Sequence, residues 1–259
     1  MKYLDLTLPT PAENLACDEA LLNMCEEGAY ADEILRVWEA GEYFVVVGYA
    51  NQVAAEVNLT ACRARGIPVF RRCSGGGTVL QGPGCLNYAL ILKITQAGPL
   101  RSISAANRSI LERNRDTIET LLDRRNRCGE AASLKSEVQS PKSAIEVCGH
   151  TDLVVGGRKF SGNSQRRKRR FLLFHGTFLL NFDMALVEAL LRLPSKSPAY
   201  RRNRTHAQFL TNLSVPADQV KAALRRSWNS AATLTKVPKE RICSLVAQKY
   251  SAESWNLKF

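Results

Sequence analysis

The chain has 259 residues, of which 45% are hydrophobic and 23% are charged, and its formal net charge is +12. These proportions exclude a disordered chain and a fibrous repeat, and the length is sufficient for a full hydrophobic core. The positive charge favours an anionic partner, which could be a nucleic acid, an anionic lipid surface, an acidic protein or a phosphate-bearing substrate.

The N-terminal residues lack the basic start and unbroken apolar stretch of a secretory signal, and no apolar run of about 18 residues follows. We therefore expect a cytoplasmic protein with no membrane association. The eight cysteines form no C-x-x-C pair, which argues against a zinc ribbon or a thioredoxin-like site. In a reducing compartment, most of them are expected to be small core residues.

The first half of the chain predicts one helix and three strands. Apolar residues recur at helical spacing over 14–27, after Asn14 as the N-cap and before Gly28. Short apolar runs predict strands at 44–47, 68–70 and 88–92. The glycine-rich stretch between the last two strands indicates a loop shaped for close approach of the backbone to a ligand.

The second half predicts, in order, a helix over 102–127, a mobile loop over 128–143, a hairpin over 153–160, a strand over 171–180 and helices over 217–228 and 238–249. The hairpin prediction depends on Gly156 and Gly157, because paired glycines supply the positive φ angles of a two-residue turn. This turn places Lys159 on a strand. Strands interspersed with helices predict a mixed α/β (α+β) sandwich.

The sharpest local motif is Arg71-Arg72-Cys73-Ser74-Gly75-Gly76-Gly77-Thr78-Val79-Leu80, directly after a predicted strand. Three glycines expose backbone N–H groups that can cradle an anion, and arginines can bind phosphate or carboxylate. The chain lacks the P-loop signature and the dinucleotide-binding fingerprint, which excludes those two kinds of nucleotide site. Taken alone, a glycine triplet is more often a plain tight turn.

Two further positions carry chemistry. Lys159, in the segment RKFSGNSQ, can neutralise the charge that develops when a carboxylate attacks a phosphate, although it also fits a solvated lysine after a hairpin. His175 lies within an apolar strand, where a histidine is usually a satisfied core residue.

The succession of motifs resembles the lipoate-protein ligase A family from residue 12 to 259. The motifs that carry the resemblance are NLACDEALL at 14–22, GYAN at 48–51, RRCSGGGTVL at 71–80, GHTDL at 149–153, RKFSGNSQ at 158–165, FHGTFLL at 174–180 and Trp255-Asn256. The resemblance implies the biotin/lipoate protein ligase catalytic fold, with a mixed, mainly antiparallel sheet packed by helices. It also implies an ATP- and Mg²⁺-dependent enzyme that attaches lipoate or octanoate to a lysine of a lipoyl-accepting carrier domain.

The resemblance also implies roles for individual residues. Lys159 is the implied catalytic residue, contacting the acyl carboxylate and the α-phosphate, and Asp152 is the implied magnesium ligand. The implied ATP or acyl-adenylate site comprises Arg72, Ser74, Gly75, Gly76, Gly77, Thr78, Val79, Leu80, Lys159, Ser161 and Thr177. The implied lipoate site comprises Gly48, Asn51, Gly76, His150 and Lys159.

The chain departs from the ligase pattern in three places. Gln81 stands where the family commonly has a histidine, and the following Gly82-Pro83-Gly84 resembles the octanoyltransferases. His150 and Thr151 replace the arginine and asparagine of G-R-N-D-L. The chain ends with the Trp255-Asn256 feature, so we expect one catalytic domain over 1–259, without the C-terminal accessory domain. A separate accessory subunit is therefore an expected partner.

Two alternatives remain open. Cys148 lies in the general loop where octanoyl or lipoyl transferases place a thioester-forming cysteine, and Lys159 would then lower its pKa and ATP would not be needed. The spacing from Cys148 to Asp152 is not that of those transferases.

The basic run at 166–170 fits a docking site for an acidic acceptor domain or a solvated segment. Nucleic-acid binding is disfavoured, since the run has no interleaved aromatic residues and no nucleic-acid module is present.

Overall fold

The computed structural model describes residues 1–127, 144–194 and 196–259. The loop predicted over 128–143 lies outside these residues. The strands are β1 (Lys2–Asp5), β2 (Ile34–Glu39), β3 (Phe44–Val47), β4 (Val69–Arg71), β5 (Val79–Gln81), β6 (Cys85–Lys93), β7 (Ile145–Cys148), β8 (Asp152–Val155), β9 (Arg158–Arg167), β10 (Phe171–Leu179) and β11 (Ala232–Thr233).

The helices are interspersed among these strands along the chain. They are α1 (Pro11–Glu27), α2 (Val53–Glu56), α3 (Leu59–Ala64), α4 (Ile103–Arg127), α5 (Met184–Leu190), α6 (His206–Phe209), α7 (Ala217–Ser227), α8 (Lys239–Leu245) and α9 (Glu253–Asn256). A 3₁₀ turn at Ala199–Arg201 precedes α6, and a π-helical turn at Val246–Tyr250 continues α8. None of the described helices is long and apolar enough to cross a membrane.

Two sheets form the framework. The larger has eight strands in the order β11-β1-β2-β6-β10-β9-β8-β7, and the smaller has the order β4-β3-β5. In the larger sheet, β1 pairs in parallel with β11 and β2, and the other neighbours are antiparallel. The predicted mixed, mainly antiparallel sheet packed by helices is therefore confirmed.

Helices cover both faces of the larger sheet because the strands alternate between two apolar faces. Leu90 faces the cluster built with α4 and α7, whereas its neighbours Ala89 and Ile91 face the cluster built with α1 and α8. The smaller sheet packs with α2, α3 and α5 in a third cluster. The strand predicted over 171–180 is β10, which lies between β6 and β9.

Helix α1 begins three residues before its predicted start at 14. Thr10 is the N-cap: its hydroxyl accepts from the backbone N–H of Glu13, and the Glu13 carboxylate accepts from the Thr10 backbone N–H. The predicted cap, Asn14, is instead buried in the first turns, where its side-chain amide donates to Leu8 and Thr10 carbonyls. Gly28 ends the helix with φ of 84°, as predicted.

The hairpin that carries Lys159 forms as predicted. Gly156 and Gly157 have φ of 55° and 71°, and Val155 pairs with Arg158 across the two-residue turn. The pairing of β8 and β9 contains a register shift between Leu153 and Val154, which is a β-bulge.

Candidate functional site

A cavity of about 970 Å³ lies where the two sheets, α1 and the chain between α5 and α6 meet. Its walls include many of the residues assigned to the site from the sequence: Asn51, Arg72, Gly76, Gly77, Thr78, Val79, Leu80, His150, Asp152, Lys159 and Thr177. Five other assigned residues are not part of the wall: Gly48, Ser74, Gly75, Cys148 and Ser161. The fold thus brings together motifs that are widely separated along the chain.

Lys159 is paired within the cavity and is not a solvated lysine. Its Nζ lies 2.8 Å from Oδ1 of Asp152, and its side chain is only 22% exposed. The hydroxyl of Tyr200 donates to the other oxygen of Asp152 at 2.6 Å. A Cβ at Gly162 would lie 2.7 Å from the Lys159 Nζ, so a glycine at this position makes room for the amine.

The glycine loop is shaped by Arg72, which is buried beneath it. The Arg72 guanidinium donates to the carbonyls of Gly75 (2.5 Å) and Gly77 (2.8 Å). Burial lowers the pKa of Arg72 to about 10. Gly76 has φ of 84°, and a Cβ at Gly48 would lie 1.9 Å from the Gly76 carbonyl oxygen, so close packing of the loop requires glycine at both positions.

His175 connects the glycine loop to α1. Its Nε2 lies 2.6 Å from the Ser74 hydroxyl, and its Nδ1 lies 3.4 Å from Oδ2 of Asp18. Asp18 also forms a buried ion pair with Arg36 at 2.5 Å. Although burial alone would raise the pKa of the Asp18 carboxyl, Arg36 and His175 hold it below its ordinary value. Since His175 also lines the cavity, it is more than a satisfied core histidine.

The sequence of residues 10–229 matches the family model described as the lipoyl protein ligase A/B catalytic domain. The chain belongs to this family. The match covers most of the chain and confirms the family indicated by the succession of motifs.

Similar sequences and similar structures carry different names within the lipoyl protein ligase A/B family. Octanoyltransferase LipM of Geobacillus kaustophilus is 27% identical, covering 99% of this chain and 98% of its own. Octanoyltransferase LipM of Kyrpidia tusciae is 29% identical, covering 95% and 94%.

Among solved structures, a bi-partite lipoate protein ligase from Thermoplasma acidophilum has a TM-score of 0.76 at 22% identity, covering 99% of this chain and 96% of its own. A lipoate-protein ligase A bound with ATP has a TM-score of 0.71 at 24% identity, covering 99% of both chains. These structural likenesses confirm the family fold.

Two features of this family site were not predicted from the sequence. Glu56 is buried, and its Oε2 accepts from the Thr78 hydroxyl at 2.5 Å and from the Asn51 side-chain amide at 2.7 Å. It thereby ties the second half of the glycine loop to the turn at 48–51. Glu56 carries no motif signal, because its partners lie on other segments of the chain.

The second unpredicted feature is a cationic wall formed by Arg192, Lys196 and Arg201, which all line the cavity. Arg201 is 4% exposed, and its Nη2 has no hydrogen-bond partner within the described part of the chain. Burial lowers the pKa of Arg201, although Glu188 opposes the effect. Three basic side chains on one wall of the cavity fit an anionic ligand. A cluster of basic residues in this segment was visible in the sequence but had no recognisable spacing.

Cys148 lies at the end of β7, where it pairs with Asp152 across a tight turn. Its side chain lines a separate, smaller depression together with Glu146 and Tyr200. The expected lowering of its pKa by Lys159 is wrong: burial, with Glu146 and Asp152, raises the pKa of the thiol. The Lys159 amine is instead paired with Asp152. A nucleophilic role for Cys148 stays a prediction.

Asp152 is the residue assigned to magnesium, and both of its oxygens already have protein partners. In residues 1–127, 144–194 and 196–259, no group of three or more His, Cys, Asp or Glu side chains is arranged to hold a metal ion. Magnesium at Asp152 would therefore need phosphate oxygens and water as its other ligands, which is the usual arrangement for this ion.

Two side chains of the basic run at 166–170 bind the C-terminal end of α1. Lys168 Nζ donates to the side-chain carbonyl of Asn23 at 2.5 Å, and the Arg170 guanidinium donates to the backbone carbonyl of Glu26. Cations suit this end of a helix, where carbonyl groups lack partners. The run is therefore not a simple solvated segment, and only part of it is available to another molecule.

Proposed function

We propose that this protein is an ATP-dependent ligase that activates lipoate or octanoate as an acyl-adenylate and transfers the acyl group to a lysine of an acceptor protein. The observation that carries the proposal is the position of Lys159 and Asp152 in the wall of the cavity, which they share with the glycine loop. Cys148 is not part of that wall, and its raised pKa disfavours the thiolate that a thioester mechanism needs.

In the first step, a carboxylate oxygen of the acyl substrate attacks the α-phosphorus of ATP, an acyl–phosphate bond forms and pyrophosphate leaves. Both reactants are anions, so a cation between them lowers their repulsion and aligns the attack. Lys159 has the position for this role. Asp152 and Tyr200 hold its amine in the cavity until the reactants bind.

The chain also offers groups that fit a nucleoside triphosphate. The glycine loop presents backbone to the cavity beside Lys159, and Arg192, Lys196 and Arg201 supply positive charge on another wall. Three cations on one wall fit the negative charge of a triphosphate.

In the second step, the neutral amine of an acceptor lysine attacks the acyl carbonyl, an amide bond forms and AMP leaves with the bonding electrons. The amine loses its proton to solvent. The T. acidophilum ligase belongs to a lipoylation system with an E2 lipoyl domain, and we propose a lipoyl domain as the acceptor here. That ligase is bi-partite, which motivates assaying this chain both alone and with candidate partner subunits; the accessory subunit itself stays a prediction.

The test is pyrophosphate–ATP exchange that depends on lipoate or octanoate. We expect exchange with the wild-type chain and a loss of about 100-fold or more in Lys159→Met, since the substitution removes the only positive charge proposed to bridge the reactants. Exchange that persists in Lys159→Met at the wild-type rate would contradict the mechanism.

The second candidate is an octanoyltransferase that takes its acyl group from a carrier protein without ATP. The observation that favours it is the set of similar sequences, because octanoyltransferases LipM match nearly the whole chain at 25–29% identity. Incubation with an octanoylated carrier protein, followed by mass spectrometry, distinguishes the two. An octanoyl adduct on Cys148, with no pyrophosphate exchange, would establish the transferase and remove the ligase.

A further inference from the structure

The turn at 48–51 and the C-terminal residues are held together by one buried side chain. The Arg71 guanidinium donates to the carbonyls of Gly48 (2.8 Å), Asn51 (2.9 Å) and Trp255 (3.1 Å), and also to the carbonyl of Lys258. The Trp255 indole N–H returns a hydrogen bond to the Arg71 carbonyl at 2.8 Å. The side chains that project from these two segments are therefore fixed relative to each other.

Together with β9, these segments present a surface that we call the cation–aromatic patch, formed by Tyr49, Arg166, Trp255 and Lys258. The rings of Tyr49 and Trp255 are 5.8 Å apart. Lys258 Nζ lies 4.1 Å from the Tyr49 ring centre and 4.0 Å from that of Trp255, and the Arg166 guanidinium lies 5.6 Å from Tyr49. Tyr49 is 39% exposed. Among the described residues, neither Arg166 nor Lys258 forms an ion pair with a carboxylate.

The patch lies beside the wall of the cavity. The Tyr49 backbone N–H donates to the Ser74 carbonyl at 2.9 Å, which joins the patch to the start of the glycine loop. Ser164 lines the cavity and donates to the Gly75 carbonyl at 2.8 Å. Arg166 lies two positions further along β9, so it projects from the same face of the strand as Ser164. One strand therefore runs from the cavity wall to the patch.

We propose that the cation–aromatic patch is the docking surface for an acidic acceptor domain, which it holds so that the acceptor lysine enters beside the glycine loop. This proposal rests on the proposed function, because transfer to a protein lysine requires an acceptor at the cavity mouth. Carboxylates of the partner pair with the free cations of Arg166 and Lys258, and Tyr49 and Trp255 supply the contact area typical of interface hot spots. Lys168 and Arg170 do not contribute to this surface, since their side chains are bound to the end of α1.

The experiment measures acceptor KM, pyrophosphate exchange and direct binding to an apo-lipoyl domain by calorimetry. The variants are Arg166→Glu, Lys258→Glu and Tyr49→Ala, and the matched control is Arg226→Glu, an exposed arginine on α7. We expect each charge reversal in the patch to raise the acceptor KM and the Kd by on the order of tenfold, with exchange unchanged. The control should alter none of these values. Added salt should weaken acceptor binding more in the wild-type chain than in the variants.

Several outcomes would overturn the proposal. One is a wild-type acceptor KM and Kd in all three patch variants. Another is a loss of pyrophosphate exchange in a variant whose melting temperature is unchanged, which would assign the patch to the activation step. A third is that the patch variants lose the binding of a single-stranded oligonucleotide shown by the wild-type chain while their acceptor KM is unchanged, which would make the patch a nucleic-acid site. Failure of the proposed function is distinguished by the absence of exchange in the wild-type chain, whereas the calorimetric Kd still tests the patch.

Discussion

The Tyr200 hydroxyl donates to Asp152 Oδ2 at 2.6 Å while Lys159 Nζ lies 2.8 Å from Oδ1 of the same carboxylate. Tyr200 belongs to the chain between α5 and α6, which also contributes Arg192, Lys196 and Arg201 to the cavity. The hydrogen bond thus joins this cationic wall to the hairpin that carries the lysine.

Removing only the hydroxyl tests this connection. Tyr200→Phe should lower the maximal rate of pyrophosphate exchange by on the order of tenfold, because Asp152 loses a partner that orients it and Lys159 is held less firmly. The ring and its contact with Phe209 are retained, so the melting temperature should change little. Burial and Asp152 raise the pKa of Tyr200 above its ordinary value of 10.0, so it donates throughout the neutral range. An unchanged rate from about pH 6 to about pH 9 would show that the hydroxyl is not needed.

The space beside Lys159 gives a second prediction. Gly162→Ala places a methyl group where Lys159 Nζ would lie 2.7 Å away, so the amine must move from its position beside Asp152. We expect exchange to fall by on the order of 100-fold, since small displacements at a reacting centre have this effect. Gly41→Ala is the control, because a Cβ at Gly41 meets nothing within 4 Å. Equal exchange rates for the two variants would contradict the prediction that Gly162 leaves space for the Lys159 amine.

Arg71 gives a prediction for stability. Arg71→Met leaves the carbonyls of Gly48, Asn51 and Trp255 without their donor, so we expect the free energy of unfolding in urea to fall by about 3 kcal/mol. The exposed Arg124 provides the comparison, and Arg124→Met should change the free energy by less than about 0.5 kcal/mol. If the two variants unfold at the same urea concentration, Arg71 does not anchor the C-terminal residues.

Asp18 gives a prediction for pH dependence. Its folded-state pKa lies below the ordinary value of 3.8, so its stabilising contribution is present above that pH and is lost as the pH falls through the folded-state pKa. Thermal unfolding followed from neutral pH into acid should show this loss in the wild-type chain. In Asp18→Asn the acid-dependent loss should be smaller, and stability near neutral pH should be lower, because Arg36 remains buried without its carboxylate. Parallel pH curves for the two proteins would refute this assignment.

Local features of the fold could be predicted from the sequence, since their causes lie within a few residues. Gly156 and Gly157 specify the hairpin turn, and the apolar run of β10 identifies a central strand. Strand β2 was not predicted: Arg36 interrupts its apolar run, and only the folded chain shows that this arginine is buried against Asp18. The predicted start of α1 was wrong, although the T-x-x-E spacing of Thr10 and Glu13, which form the capping box, is visible in the sequence.

The candidate site shows the same division. The glycine loop and Lys159 were identified because each belongs to a short motif in the sequence, and the resemblance to the lipoate-protein ligase A family implied their roles. The pairs that position them could not be predicted, since Ser74 and His175 are 101 residues apart and Tyr200 and Asp152 are 48 apart. Glu56 and Arg201 were missed for the same reason: each acts on residues brought close only by the packing of separate segments.

The most direct test of the ligase account is lipoate-dependent pyrophosphate–ATP exchange measured side by side in the wild-type chain and Cys148→Ala. The account predicts exchange at the same rate in both, because Cys148 lies outside the cavity that holds Lys159 and Asp152. No exchange in the wild-type chain, together with octanoyl transfer from a carrier protein that Cys148→Ala abolishes, would contradict it.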